Sequence, residues 1–177
     1  MEVRKNGVVI ECVQGDIARQ PDVEAVVNAA NAMLMPGGGV AGAIHRAAGP
    51  ELAEACRPLA PIKPGEAVIT PGFRLPNKYV IHCLGPVYGV DKPEEVLLGN
   101  CYRNALRLAE EHHVQSIAFP AISTGIFGYP IKEAVQVVIP LVLSETANLK
   151  TLKRIRFVLF GARDFAYYVE YLRGQSL

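Results

Sequence analysis

The chain has 177 residues, with 18 Lys+Arg against 17 Asp+Glu for a net charge of +1; half of it is hydrophobic and 20% is charged. That length fits one domain, residues 1–177, and that composition fits a chain that buries roughly 70% of its unfolded surface, which excludes a disordered protein. Near-neutrality, with no basic stripe interleaved with aromatics, argues against nucleic acid or an anionic membrane as the main partner.

Strand-like and helix-like segments then alternate along the chain. A Val- and Ile-rich run, Val8–Val13, opens the series, and Glu24–Asn28 follows as a second strand. Helical patterns cover Val40–Ala48 and Pro50–Arg57, and the proline-rich stretch Arg57–Gly65 reads as a surface connection. Two strands, Ala67–Thr70 and Tyr79–Leu84, precede a long helix over Pro93–His113. In that helix Leu97, Cys101, Ala105 and Leu108 form an apolar stripe, and Pro93 suits the first turn. Strand Ser116–Phe119 leads to helix Ile131–Asn148, which Pro140 should kink or end early. Strand Arg154–Phe160 and helix Asp164–Leu172 close the chain, with Asp164 as a helix cap. Most strands are apolar on both faces, as in a sheet covered on both sides by helices. The fold class expected is α/β: three layers, α/β/α, around a central mixed, mostly parallel sheet.

Met1-Glu2-Val3-Arg4-Lys5-Asn6-Gly7 places charges where a signal peptide needs apolar residues. The uncharged runs 25–44 and 114–131 are broken by Gly, Pro, Asn or Ser, so no membrane helix is expected. Cys12, Cys56, Cys83 and Cys101 are widely spaced, with no C-x-x-C pair, and read as buried thiols in a reducing cytoplasm. Together with His45, His82, His112 and His113 they lack zinc-site spacing, so neither metal nor cofactor is expected.

In open α/β sheets, ligands sit beyond the carboxyl ends of the strands. Two of the loops there are unusual. The loop after the second strand runs from Asn28 to Gly42 and contains Pro36-Gly37-Gly38-Gly39 just before a helix. Consecutive glycines let the main chain touch a ligand, and free amides at a helix start favour a phosphate. The loop after Ser116–Phe119 reads Pro120-Ala121-Ile122-Ser123-Thr124-Gly125-Ile126-Phe127-Gly128-Tyr129-Pro130 and offers further glycines, hydroxyls and a second helix start. Neither loop contains Lys or Arg, which suits a pyrophosphate gripped from two sides by dipoles without a metal. Glycine-rich loops also make plain turns. Gly37, Gly39 and Gly42 satisfy G-x-G-x-x-G, but eight residues separate them from the strand and the expected acidic residue is missing, so a dinucleotide oxidoreductase is disfavoured. No G-x-x-x-x-G-K-[ST] is present.

Gly15-Asp16-Ile17, Val27-Asn28-Ala29-Ala30-Asn31, Gly37-Gly38-Gly39-Val40, Ala43-Ile44-His45-Arg46-Ala47-Ala48-Gly49, Tyr79-Val80-Ile81-His82 and Ser123-Thr124-Gly125-Ile126-Phe127-Gly128 occur in this order. In that order and over nearly the whole chain, the sequence resembles the macro domains. The resemblance implies ADP-ribose, or an ADP-ribosyl ester such as a mono-ADP-ribosylated protein, as ligand. Asp16 would accept a hydrogen bond from the adenine amino group, with the Ile17 amide beside it. Alone, a Gly-Asp turn is more often a helix cap. Phe160 matches an aromatic wall by the adenine, against ordinary core packing. Asn31 matches the distal-ribose residue, while Asn28 shapes the backbone. Gly37, Gly38, Gly39, Val40 and Ala41 would line one side of the phosphates and distal ribose. Ser123, Thr124, Gly125, Ile126 and Phe127 would line the other.

Many macro domains hydrolyse the ester linkages of their ligand. One hydrolase branch carries an aspartate ten residues after the second Asn of the motif; here that position is Ala41. Without it, the resemblance implies a water positioned by the Gly38 loop and the ligand's phosphate, with Asn31 at the reacting ribose. His45, one helical turn after Ala41, is the candidate substitute base, against the default of a packed, hydrogen-bonded histidine. The alternative is a non-catalytic ADP-ribose reader.

Overall fold

The computed structural model describes residues 1–177. Its strands are β1 (Glu2–Lys5), β2 (Val8–Gln14), β3 (Ala25–Ala29), β4 (Ala67–Pro71), β5 (Tyr79–Cys83), β6 (Ser116–Phe119) and β7 (Arg154–Leu159). Its helices are α1 (Gly39–Ala48), α2 (Glu51–Cys56), α3 (Glu94–Glu111), α4 (Ile131–Glu145) and α5 (Ala162–Arg173), with short 3-10 turns at Arg57–Leu59 and Thr146–Asn148. One sheet contains all seven strands in the order β1-β2-β7-β6-β3-β5-β4. The inner pairings β2·β7, β7·β6, β6·β3 and β3·β5 are parallel, and both edge strands are antiparallel.

α1 and α2 cover one face of the sheet and α3, α4 and α5 the other, so the architecture is three-layered α/β/α. The larger core lies under α3–α5. Across it runs an aromatic file, Tyr102–Phe119–Phe157–Tyr168, with successive ring centroids 4.8, 6.1 and 5.5 Å apart. The smaller core lies under α1 and α2, around Val26, Ile44, Leu52 and Val80. β3 and β5 are buried on both faces, which is why their sequences lack alternation.

Four local expectations need correction. β1 has no counterpart in the strand pattern above; it pairs with β2 through the two-residue turn Asn6-Gly7, both at positive φ (51° and 78°), the geometry hairpins favour. Of the two outcomes expected at Pro140, a kink or an early end, the early end does not occur: α4 runs on to Glu145. The lost backbone bond and ring clash cost about 3 kcal/mol. Burial of Val138, Ile139, Val142 and Leu143 on either side of the proline, at about 1.5–3 kcal/mol per side chain, exceeds that. α5 begins at Ala162 after Gly161, so Asp164 sits inside the first turn, where its charge favours the helix dipole, instead of capping the helix. In α3 the buried face is centred on Leu98, Cys101, Tyr102, Ala105 and Ala109, with Leu97 and Leu108 at its margin.

The approach to β7 is tied down by Glu110 at the end of α3. Its carboxylate accepts the N–H groups of Lys150, Thr151 and Leu152 at 2.6, 2.9 and 2.8 Å and the Thr151 hydroxyl at 2.7 Å. Burial pushes this carboxyl up, but the four donors outweigh it and hold it below its ordinary value. The strand that carries Phe160 at its end is thus anchored at its start. All four cysteines are buried free thiols, as expected, and no helix is long and apolar enough to cross a membrane.

Candidate functional site

Strand order decides where a ligand can sit. β3 leaves the sheet through α1 and α2 on one face, while its neighbour β6 leaves through α4 on the other. Their carboxyl ends therefore diverge and open a cleft between the two unusual loops. The cleft is about 370 Å³, within the range of small-molecule sites. Residues 29–31 and 37–41 line one side, 121–123 and 125–127 the other, and Gly85 after β5 closes the floor.

On the first side, α1 starts at Gly39 behind Gly38, with no side chain capping it. The N–H groups of Gly39, Val40 and Ala41 have no partner inside the helix, and none elsewhere in the protein. Gly39 sits at φ 54°, which a side chain would resist. Gly42 lets the helix close on the loop, because a Cβ there would collide with the Gly37 carbonyl oxygen. Asn31 braces the loop. Its Nδ2 donates to Met35 O at 2.8 Å, and its Oδ1 accepts the Met35 N–H at 3.0 Å. One amide hydrogen and one lone pair remain for a ligand.

On the second side, Ser123 holds a left-handed conformation, φ 69°, and its buried hydroxyl has no partner. The Thr124 N–H and hydroxyl both bond to Ala121 O, and Thr124 does not line the cleft. The N–H groups of Ser123, Gly125, Ile126 and Phe127 are unspent. Two rows of free donors thus flank one cleft, and no Lys or Arg lines it.

Asp16, Ile17 and Phe160 lie beyond this cleft, at the carboxyl ends of the adjacent strands β2 and β7, where Gly15 N–H bonds to Leu159 O at 2.9 Å. Asp16 keeps 42% of its side chain exposed, and its Oδ1 accepts the Ala18 N–H at 2.9 Å. Ile17 is buried, and Phe160 is 86% exposed, so the core alternative for Phe160 fails. The carboxyl ends therefore present, in order across the sheet, an acid and an aromatic ring, the hydroxyl loop, and the glycine loop.

His45 is packed, but not as expected. It is buried and does not line the cleft, and neither ring nitrogen has a hydrogen-bond partner. Ala41 does line the cleft; one turn further along α1, His45 is buried with its ring centroid 6.5 Å from that of His82. Burial lowers the pKa of His45. His82 is core, as expected: Asn28 Nδ2 donates to its Nδ1 at 3.1 Å, and its Nε2 lies 3.0 Å from Thr70 Oγ1. Burial first, and the nearby His45 second, push its pKa down to about 3. Asn28 thereby pins the start of the glycine loop to the neighbouring strand. Ala29, Ala30, Gly85, Ala121 and Ile122 were not expected as site residues, although Gly85 directly follows the expected strand Tyr79–Leu84 at its carboxyl end, the signal that found the two loops.

No cluster of three or more His, Cys, Asp or Glu side chains converges to hold a metal. A depression of about 460 Å³ between α4 and α5 is lined by Lys132, Tyr167 and Glu170 among others, and shares no lining residue with the cleft.

The macro domain family model matches residues 27–138. Among curated proteins, the O-acetyl-ADP-ribose deacetylase of Salmonella typhimurium is 46% identical over 172 residues, covering 94% of this chain and 96% of its own. Among solved structures, an Oceanobacillus iheyensis macrodomain with ADP superposes at TM-score 0.93 with 41% identity, covering 98% of this chain and 94% of that one. A Trypanosoma brucei macrodomain in complex with ADP-ribose superposes at 0.85 with 34% identity, over 91% of this chain and 68% of that one. With the glycine loop and the hydroxyl loop facing each other across one cleft, and the likeness running nearly end to end, this chain belongs to the macro domain family.

Proposed function

We propose that the cleft binds ADP-ribose and that the protein hydrolyses ADP-ribose esters, either O-acetyl-ADP-ribose or mono-ADP-ribose carried on protein side chains. One observation carries this: two facing rows of unspent main-chain donors, with no cation between them, suit a diphosphate. The Asp16 carboxylate and the Phe160 ring at one end suit adenine, and the Asn31 amide at the other suits a ribose. The names of the Salmonella relative and of the Trypanosoma complex support the same ligand.

At the reacting end, the N–H groups of Gly39, Val40 and Ala41 hold the phosphate, and Asn31 holds the ribose hydroxyls. A water lies against the Gly38 loop and the ligand's own phosphate, which takes the place of the absent carboxylate. A general base typically contributes about 10²–10⁴-fold, so this arrangement is slow. A reader without turnover is the second reading. Ala41 favours it, as does the burial of His45 away from the cleft.

Single-turnover incubation with O-acetyl-ADP-ribose separates the two. The hydrolase reading predicts slow, complete acetate release, and at least about 10²-fold faster release in Ala41→Asp. A flat time course at saturating enzyme, with binding intact, eliminates hydrolysis and leaves the reader.

A further inference from the structure

Gln20 lies behind the turn that carries Asp16 and is only 7% exposed. Both ends of its amide are in use. Oε1 accepts from Arg156 Nη1 at 2.9 Å, and Nε2 donates to the main-chain oxygen of Asp16 at 2.9 Å. A guanidinium has no acceptor, so Arg156 fixes the amide in the one orientation that turns an N–H toward Asp16. Arg156 is itself immobilised: Nε bonds to Glu11 at 2.7 Å, and Nη1 and Nη2 bond to the Asp22 carboxylate at 2.7 Å each. From the other side, Asn77 Nδ2 bonds to the main-chain oxygens of Gln20 and Val23 at 2.7 and 2.8 Å.

Of the two carboxylates on Arg156, Glu11 is nearly buried while Asp22 keeps 64% of its side chain exposed, so the desolvation of Arg156 and Glu11 offsets part of the Coulomb gain. What the relay does supply is geometry. Arg156 stands on β7 four residues before Phe160, so a single strand fixes both the aromatic wall and, through Gln20, the turn that presents Asp16.

We propose that Gln20, held by Arg156, is a positioning residue that selects the nucleobase by fixing the Asp16 carboxylate. The proposal rests on the ADP-ribose reading above, with Asp16 facing the adenine amino group. Gln20 touches no ligand; it acts through Asp16.

The test compares ADP with IDP, whose base carries a carbonyl where adenine carries the amino group, by calorimetry on the full chain. The wild type should prefer ADP by about tenfold or more, the scale of a charged hydrogen bond. Gln20→Glu keeps the length and the Arg156 contact but turns an acceptor toward Asp16 O. Its ADP/IDP ratio should fall to within about twofold, with IDP affinity unchanged. An unaltered ratio in the folded variant overturns the proposal, and so does equal weakening of both nucleotides, which marks a general loss of structure. Should Gln20→Glu fail to fold, Gln20→Met, isosteric and apolar, is read the same way. A wild type that binds both nucleotides equally removes the adenine reading itself, whereas a selective wild type with an equally selective Gln20→Glu removes only the role of Gln20.

Discussion

Gly85→Ala should weaken ADP-ribose binding by at least about tenfold, equivalent to 1.4 kcal/mol, and also lower unfolding free energy by about 1–3 kcal/mol, the usual cost of overpacking. A Cβ at Gly85 would collide with the Ser123 hydroxyl and come within 2.6 Å of Ile122 Cγ2. The clash is not removed by side-chain rotation alone. Ile122 is fully packed, and although the partnerless Ser123 hydroxyl can swing aside, Ser123 Cβ remains 3.2 Å away. The strain is relieved only by moving the loop that carries the free N–H groups of Gly125, Ile126 and Phe127, and those donors must stay aimed at one point to hold a diphosphate. Gly38→Ala is the control for stability: its φ of −88° suits any residue, and a Cβ there meets nothing within 4 Å. Urea unfolding of the two variants beside a calorimetric titration of Gly85→Ala checks both parts. Wild-type affinity in Gly85→Ala would show that the second loop is not a clamp.

The second large effect is on acid stability. The folded protein holds His82 neutral, with its pKa lowered from 6.5 to about 3 by burial and by His45. Above pH 6.5 the ring is neutral whether folded or unfolded, and this stabilisation is fully present. As pH falls from 6.5 toward 3, the unfolded chain takes up a proton that the folded one refuses, and stability is lost, on the order of 3 kcal/mol by pH 4. His45, also lowered by burial, acts with the same sign. Asp22, held down at about 2 by its hydrogen bond from Arg156, loses its contribution only below the ordinary carboxylate value of 3.8, whereas Glu110, held below 4.5 by its four donors, adds a loss of the same sign toward pH 4.5 that is common to the wild type and a His82 variant. Urea unfolding at pH 7, 5.5 and 4.5 should show this fall, and His82→Gln should show a shallower one from a lower starting stability. An identical pH slope in His82→Gln would refute the assignment. The consequence reaches the site, because Asn28, which starts the glycine loop, is pinned by His82 Nδ1.

What the sequence made legible was what the backbone demands. Gly37–Gly39 before a helix announce an uncapped terminus with free donors, and the structure has one. The order of strands and helices was readable because buried parallel strands are continuous apolar runs. β1 was missed because Glu2–Lys5 is short and polar, although Asn6-Gly7 is a hairpin signal in its own right. The early end that Pro140 allowed, as the alternative to a kink, did not occur because local propensity was outweighed by packing between α3 and α5. Within the site, the engagement of Asn31 with Met35, the loss of Thr124 to Ala121 and the burial of His45 depend on how α1 and the loops settle on the sheet. Residue spacing fixes which positions share a helix face, not how far along that face the cleft extends.

Calorimetric titration with ADP-ribose, set beside ADP, AMP and NAD and repeated with Asp16→Ala, tests the central claim most directly. ADP-ribose should bind tightest of the four, and Asp16→Ala should weaken it by about 1–3 kcal/mol. No measurable heat with ADP-ribose, or the same affinity with and without the Asp16 carboxylate, would contradict a cleft that grips a diphosphate between main-chain donors and recognises adenine at its acidic end.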